Sequence, residues 1–531
     1  MATEVVESKL LKNSYRDSVE LMRVAAEVER LPGVARAALM MGTPANRAVL
    51  ADGGLLTGPA EGADPNDLII AVAAQNPQAA ASGVERATQL LAGGAAETAA
   101  SMEESPRSTL ADALVGLPGA NLAIISTPGT YATAEALKAL KRRMHVFLFS
   151  DNVSLAEEVE LKKLAWSRGL LLMGPDCGTA ILDGVPLGFA NVVRRGRIGL
   201  IGASGTGLQE VSCLIDREGE GVSQAIGVGG RDLDERVGGL MMLAALDRLS
   251  RDPGTSVVVL LSKPPSPTVT ERVLEAARSC PKPVVVNFLG GDLRQLRLPN
   301  LMPASTLEEA ALLAVALVRQ EPAARDSYRG TGDEQVLVAR MEAARLAAGQ
   351  RRVRGLYSGG TLAHEAKLVL EQLLGPEEAA THQILDLGDD EYTVGRPHPM
   401  IDPRPRAEQI VRAAHDPATA VVLLDVVLGY ASHPDPAAAL LPAIEKARHL
   451  AEAEGRHLVV VASVCGTRGD PQGLVRQEEA LLAGGVVLAP SNARAARFAA
   501  LMVLEAKQRR EGRVDRASGM TAGISRETED V

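Results

Sequence analysis

Residues 196 to 231 constrain the fold more than any other stretch. Ile198 to Ile201 is a short apolar run with the look of a buried strand, Gly202-Ala-Ser-Gly-Thr-Gly207 is a glycine-rich turn, and Leu208 to Arg217 has amphipathic helical spacing. The first turn of such a helix carries N–H groups without intrahelical partners, and the helix dipole places partial positive charge there. Gly205 and Gly207 let an anion approach the backbone, and Ser204 and Thr206 offer hydroxyl donors, so the loop suits a phosphate- or carboxylate-sized anion. A strand-to-helix turn with no ligand is the alternative. Neither the P-loop lysine nor the dinucleotide fingerprint spacing is present.

At 531 residues the chain is too long for one core and implies several domains. Residues 1–105 carry helical patterns at 14–30 and 77–91 and extended ones at 34–40 and 67–74, which suits a small α+β domain of the ferredoxin kind, with 91–106 as the link onward. From Thr109 strands and helices alternate regularly, as in a parallel sheet. The expected fold is therefore α/β and multidomain: a Rossmann-like domain over 106–195, a second strand-helix domain over 196–320, a helical connector over 321–352 and a third strand-helix domain over 353–508. A last helix begins near Ala493 with Ser491 or Asn492 as its cap, and the polar tail 509–531 is expected to be disordered. Ligands in such sheets sit beyond the carboxyl ends of the strands.

Aromatic residues make up only 2% of the chain against 46% apolar, so the cores rest on Ala, Val and Leu, and base-stacking platforms are excluded. A net charge of −10 with both signs interspersed argues against nucleic acid and against anionic membranes as partners. No stretch reaches 18 uninterrupted apolar residues, and the acidic start Met-Ala-Thr-Glu-Val-Val-Glu-Ser is not a signal peptide. Cys177, Cys213, Cys280 and Cys465 are far apart with no C-x-x-C pair, which points to a reduced, cytoplasmic protein without a structural zinc site.

Four segments taken in order, Gly174-Pro-Asp-Cys-Gly178, Arg197-Ile-Gly-Leu-Ile-Gly-Ala-Ser-Gly-Thr206, Ile226-Gly-Val-Gly-Gly-Arg-Asp232 and Pro281-Lys-Pro-Val-Val-Val286, resemble signature segments of the succinyl-CoA synthetase α subunit. Gly359-Gly-Thr-Leu-Ala363, Leu385-Asp-Leu-Gly388 and Val427-Leu-Gly-Tyr-Ala431 resemble loops of the β subunit's ligase domain. The resemblance assigns 106–195 to a CoA-binding-type domain, 196–320 to an α-like ligase domain and 353–508 to a β-like ligase domain, both ligase domains flavodoxin-like. Their order is that of FdrA-type proteins.

Departures from the pattern are informative. The α subunit's phosphorylated histidine loop corresponds to a stretch, Leu289 to Ser305, that contains no histidine, and Lys263 stands where the family has a supporting glutamate. No ATP-grasp domain and no amino-terminal CoA-phosphate loop are visible. What the resemblance retains is a pair of helix N-termini clamping a phosphoryl group, the first at Ser204, Gly205, Thr206 and Gly207, the second at Gly429, Tyr430, Ala431 and Ser432.

FdrA-type proteins are linked to allantoin breakdown and, with partner subunits, to oxamate carbamoyltransferase. The resemblance therefore implies carbamoyl or acyl transfer to or from phosphate, with phosphate or carbamoyl phosphate as ligand, a small carboxylic acid or amide as co-substrate, and assembly as a homo- or hetero-oligomer. No cofactor is required, CoA being the alternative ligand. An acyl-CoA synthetase supplied with nucleotide chemistry by another chain, and a non-catalytic CoA- or phosphate-binding module, are the competing readings.

Single residues leave two readings each. His433 beside the second clamp can act as a general acid or be a solvated loop histidine. Arg231 after Gly229-Gly230 can hold a ligand carboxylate or pair with Asp232 or Asp234. Lys263 can add positive charge to an anion site. Asp389, Asp390, Arg396, His398 and Asp402 can hold an ion or an acidic substrate, or form a salt-bridged loop, and their spacing matches no known metal loop. Cys177 reads as a nucleophile or as a small packing residue.

Overall fold

The computed structural model describes residues 5–14, 16, 18–100, 109–292, 300–322, 333–393 and 397–512. The tail expected to be disordered therefore lies, from residue 513, outside the described residues, as does Arg396. Two compact units result, one up to Ala113 and the other from Leu114 onward.

In the first unit, β1 (Val5–Leu11), β2 (Val34–Met41) and β3 (Leu68–Ala74) form an antiparallel sheet in the order β1-β3-β2. Central β3 reads Leu-Ile-Ile-Ala-Val-Ala-Ala and is buried throughout. Alternation along a strand sends Leu68, Ile70 and Val72 to one face, against helices Ser18–Glu29 and Pro77–Ala100. Ile69, Ala71 and Ala73 go to the other, against Leu50, Leu55 and Ala60. Strand β1 and helix Pro44–Asp52 went unread in the sequence. The stretch 91–106, expected as a link, is helix as far as Ala100, because its alanines favour helix more than its glycines break it.

The second unit holds three sheets. Strands β4 (Leu122–Ile125), β5 (His145–Leu148) and β6 (Leu172–Met173) are parallel in sequence order. The largest sheet contains β7 (Thr179–Leu182), β8 (Val185–Gly188), β9 (Arg195–Gly202), β10 (Val222–Gly227), β11 (Val257–Ser262), β12 (Val284–Phe288) and β13 (Leu301–Pro303), ordered β13-β12-β11-β9-β10-β7-β8. Strands β9 to β13 pair in parallel, whereas the β7–β8 hairpin is antiparallel and joins through β10. The sequence reading grouped residues 179–188 with 106–195; here they complete the following sheet. Their Asp183-Gly184 turn, with both φ values positive (51° and 84°), is the two-residue hairpin signal that would have found them.

The third sheet, β14 (Arg352–Tyr357), β15 (Gln383–Asp386), β16 (Thr419–Val427), β17 (Val459–Cys465) and β18 (Val487–Ala489), is wholly parallel in the order β15-β14-β16-β17-β18. One apolar core joins the two large sheets: Ile198, Leu200 and Val259 belong to the same cluster as Val353, Val421 and Val461. Helices Gly205–Arg217, Leu307–Arg319, Gly360–Leu374 and Asn492–Arg510 contribute to it. Ser491 caps the last of these, as expected. Asn492, fully buried, donates its backbone N–H to Glu210 (3.0 Å) and its side-chain amide to the Leu362 carbonyl (2.9 Å) and Glu365 (2.8 Å). No described helix is long and apolar enough to cross a membrane.

Beside this core, Lys162 on helix Leu155–Ser167 is fully buried between Glu158 (2.8 Å), Asp232 (2.9 Å) and the Val228 carbonyl (2.8 Å). Asp232 also accepts the backbone N–H groups of Met241 (3.2 Å) and Met242 (2.9 Å). Removing one partner from such a cluster strands the remaining charges. Lys162→Met is expected to lower stability by about 3–5 kcal/mol, read as a fall in the urea unfolding midpoint.

Candidate functional site

Strands β9, β11 and β12 are adjacent and parallel, with Leu261 beside Gly202 and Ser262 beside Phe288. The register continues past their ends, where Ala203 donates to the Leu261 carbonyl (3.0 Å) and Leu289 to that of Ser262 (2.9 Å). Ser204, Lys263 and Leu289 thus stand in a row at the carboxyl edge of the sheet. Helix Gly205–Arg217 starts from the first of them, and its partner is helix Gly360–Leu374. The Ser204 hydroxyl caps its own helix by accepting from Gly207 N–H (2.9 Å) and donates to Thr361 Oγ1 (2.6 Å). The helix starts approach closely because glycine stands where they touch: a Cβ on Gly359 would lie 2.8 Å from the Thr206 methyl, and one on Gly207 3.3 Å from that of Thr361.

A buried ion pair holds the second helix start. Asp425, fully buried in β16, accepts from the backbone N–H groups of Ser358 (2.9 Å) and Gly359 (2.8 Å) and from the Ser358 hydroxyl (3.0 Å), while Arg406 sits 3.0 Å away. Every acceptor of this carboxylate is engaged in shaping the turn before the helix. No side chain caps the helix itself, so its first-turn N–H groups face the site. Asp386, at the end of β15, brings a carboxylate against Gly360, where a Cβ would fall 2.2 Å from Oδ2. Burial raises its pKa to about 6, countered by the Gly388 N–H and by Lys263. His364 lies one turn into the helix; burial and the nearby cations Lys263 and Lys367 lower its pKa. Two helix starts, an exposed lysine, a carboxyl poised near neutrality and a neutral histidine can bind an anion and move a proton.

The second clamp expected at Gly429, Tyr430, Ala431 and Ser432 is not a helix start. The helix begins at Pro436, capped by Asp435 on Ala438 N–H (3.3 Å), and Gln477 takes Ala437 N–H (2.9 Å). Gly429 N–H donates to Gln472 (3.0 Å) and Tyr430 N–H to the Ala190 carbonyl (2.9 Å), so those donors are engaged within the protein. His433 accepts Asp435 N–H on Nδ1 (3.1 Å), and its carbonyl accepts from Gln472 (3.3 Å). Against the expectation of two apposed helix N-termini, the start that meets Ser204 is Gly359–Thr361.

Arg231 reaches neither Asp232 nor Asp234: its guanidinium pairs with buried Glu158 (2.8 Å) and donates to the Val153 carbonyl (2.7 Å), bracing the loop after β10 against helix Leu155–Ser167. Lys263 belongs to the row of strand ends. In the polar cluster, Asp402 pairs with Arg404 (2.8 Å), while His398 accepts Met400 N–H on Nδ1 (3.2 Å) and stacks tilted on Phe189, its pKa lowered by burial to about 4. Cys177 is buried and its thiol pushed up to about 12, which suits packing rather than nucleophilic attack.

Asp425, Arg406, Thr361, His364 and Asp386 were missed as site residues. Signals existed for three of them: Thr361 and Asp386 lie in the quoted segments Gly359-Gly-Thr-Leu-Ala363 and Leu385-Asp-Leu-Gly388, and a lone aspartate inside the apolar run Val421-Val-Leu-Leu-Asp-Val-Val427 must have a buried partner.

Parallel sheets whose strand ends converge on facing helix starts define a protein of the CoA-binding and CoA-ligase superfamily, the succinyl-CoA synthetase-like class. Family models agree: a CoA-ligase model matches residues 356–502 and a CoA binding domain model residues 193–290, the latter on the segment expected to be the α-like ligase domain rather than on 106–195. The chain belongs to the family of the uncharacterized protein YahF of Escherichia coli, with which it shares 43% identity over 498 residues, 90% of this chain and 95% of that one.

Shorter likenesses include the succinate–CoA ligase (ADP-forming) α subunit of Methanothermobacter thermautotrophicus, 28% identical over 27% of this chain and 48% of that one. The ADP-forming sulfoacetate-CoA ligase subunit SauD of Bilophila wadsworthia is 29% identical over 32% and 60%. Among solved structures, ATP citrate lyase from Methanothrix soehngenii matches at 14% identity and a TM-score of 0.34, over 76% of this chain and 85% of that one.

A third model, the AllF heavy metal-associated domain, matches residues 3–107. That stretch contains neither cysteine nor histidine, so thiolate and imidazole donors for such a metal are missing from it.

The raised Asp386 pKa carries a stability consequence. Its carboxyl is protonated in both states below the ordinary value near 3.8; the penalty on the folded state builds up as pH rises from there to about 6 and stays constant above it. Asp386→Asn is expected to stabilise the protein at pH 7.5 by up to about 3 kcal/mol, with the gain vanishing at pH 3.5, in urea unfolding at both pH values.

Proposed function

We propose that this chain is an FdrA-type subunit transferring a carbamoyl or acyl group to or from phosphate where the helix starts at Gly205 and Gly360 meet. The observation that carries this reading is the direct contact of Ser204 with Thr361, which brings two helix starts to one place, the one at Gly360 without a side-chain cap, in a chain with no histidine between Leu289 and Ser305. A carbamoyl phosphate is already activated and needs no covalent relay. Its phosphate sits on the first-turn amides rather than on the Ser204 hydroxyl, whose hydrogen goes to Thr361. The nitrogen of a small amide such as oxamate attacks the carbamoyl carbon, the carbon–oxygen bond to phosphate breaks, and phosphate leaves against the same amides. Positioning and fixed dipoles supply the rate enhancement. Further subunits complete the enzyme, and the four free thiols suit a cytoplasmic setting.

A second reading, acyl-CoA synthetase chemistry with a nucleotide-binding partner, is favoured by the two CoA-related family models and by the start of helix Gly129–Lys141. That start has no side-chain cap, and the buried Thr127 Oγ1 beside it has no partner, as a site for a CoA phosphate would provide.

Thermal midpoints separate the readings. Carbamoyl phosphate at a hundred times its Kd is expected to stabilise the full chain by about 2.7 kcal/mol, and CoA to leave it unchanged. Ser204→Asp, which places a negative charge on the anion site, is expected to abolish the carbamoyl phosphate shift. Stabilisation by CoA alone would establish the synthetase reading instead.

A further inference from the structure

The three-stranded parallel sheet is open on two sides at β4. This strand pairs only with β5, and the Asn121 and Ile125 carbonyls accept from His145 N–H (2.7 Å) and Phe149 N–H (2.9 Å). A residue's N–H and C=O point to one side of its strand and alternate along it, so Leu122 and Ile124 turn theirs to the outer edge, where no described strand lies. The sheet face is open as well. Ile124 stands beside Phe147 in register, yet Phe147 is 1% exposed and Ile124 61%. Gly188 at the end of β8 covers Phe147, its Cβ position falling 3.1 Å from the ring, and that cover stops short of β4.

Nothing in the sequence guards this edge. Residues 113–134 hold no charged side chain in a chain that is 23% charged, and neither lysine, proline nor a bulge interrupts β4, although these are the devices that keep an edge strand from pairing. Val115, Leu117 and Tyr131, before and after the strand, are exposed too. On a protein of net charge −10, a neutral face is where two copies approach with least repulsion. The strand is also complementary to itself. In an antiparallel pair centred on Ala123, Leu122 of each copy lies opposite Ile124 of the other, and these are the residues whose N–H and C=O face outward, so four backbone hydrogen bonds form. Ala123 then meets its own copy at the two-fold axis in a close pair, Cα atoms about 4.5 Å apart, which a methyl side chain fits. Leu122 and Ile124 share a face, so each covers the other across the axis on the side where Ile124 is bare.

We propose that β4 is the contact through which two copies of this chain dimerise, pairing antiparallel about Ala123 into one continuous six-stranded sheet. The proposal stands apart from the reaction assigned above. A contact made by the same patch on both copies closes on itself, so assembly through β4 stops at two chains and does not run on into a fibre. Val115, Leu117 and Tyr131 lie within a few residues of the strand and add apolar surface at the contact.

Sedimentation velocity of the full chain, at concentrations up to about 100 µM where even a weak contact shows, is expected to give a dimer. Ile124→Lys puts a charge on an exposed position and is expected to raise the dissociation constant at least about tenfold while leaving the urea unfolding midpoint unchanged. Ala123→Cys is expected to link two copies by a disulfide under mild oxidation, because about 4.5 Å between Cα atoms lies within disulfide reach. Ser126→Cys, at an exposed position whose two copies stand about 20 Å apart in this register, is expected to remain unlinked. The four native thiols are buried and stay out of the reaction. A chain monomeric at every concentration, a dimer that Ile124→Lys leaves intact, or Ser126→Cys linking as readily as Ala123→Cys overturns the proposal. Should Ile124→Lys fail to fold, the two cysteine variants decide by the same criterion.

Discussion

The two large sheets of the second unit bury their facing sides in one core, and that shared burial fixes almost everything else about the site. Helix Gly205–Arg217 belongs to both halves: its start is bonded to Thr361 through Ser204, and at its other end Arg217 donates to the Gly466 and Pro490 carbonyls (3.1 and 3.0 Å) and to that of Val464. A helix tied at both ends cannot slide along its axis. The first-turn amides of one sheet's leading helix are thereby held against those of the other, and the strand ends that carry Lys263 and Asp386 converge on the same place.

Close approach of two positive helix ends is electrostatically unfavourable without a compensating anion. The structure meets this with carboxylates at two levels. Asp425, paired with Arg406, fixes the turn before Gly360 from inside the sheet, whereas Asp386 sits unpaired by any arginine directly on Gly360, its proton affinity raised by burial. One carboxylate builds the turn, and the other occupies the neighbourhood that an incoming anion would share. Ionisation of Asp386 consequently works against any further negative charge at Gly360.

Much of this was legible in the sequence. Apolar runs such as Val257–Leu261 and Val421–Val427 read as buried strands, and Ser204 with its glycines read as a helix start, because these signals are local. What failed was long-range. The Gly429–Ser432 segment has the composition of an anion loop, but its Gly429 and Tyr430 amides are taken by Gln472 and Ala190, residues far away in the chain. Arg231 was read as holding a ligand carboxylate or pairing with Asp232 or Asp234, yet Glu158 claims it from another helix. His364 occupies an ordinary helical position and gains its environment only from the loop after β12, which no periodicity in its own neighbourhood reveals.

The last described helix, Asn492–Arg510, has a consequence for how the protein is made. Asn492 joins Glu210, Leu362 and Glu365, the three contacts that lock the helices behind both site-forming starts. A ribosome releases residue 210 and residue 365 long before residue 492, so the nascent chain holds two finished sheets with their common face still open. Assembly of the site is therefore a post-translational event, and a chain stopped short of Ser491 exposes apolar surface that only its own missing end can cover.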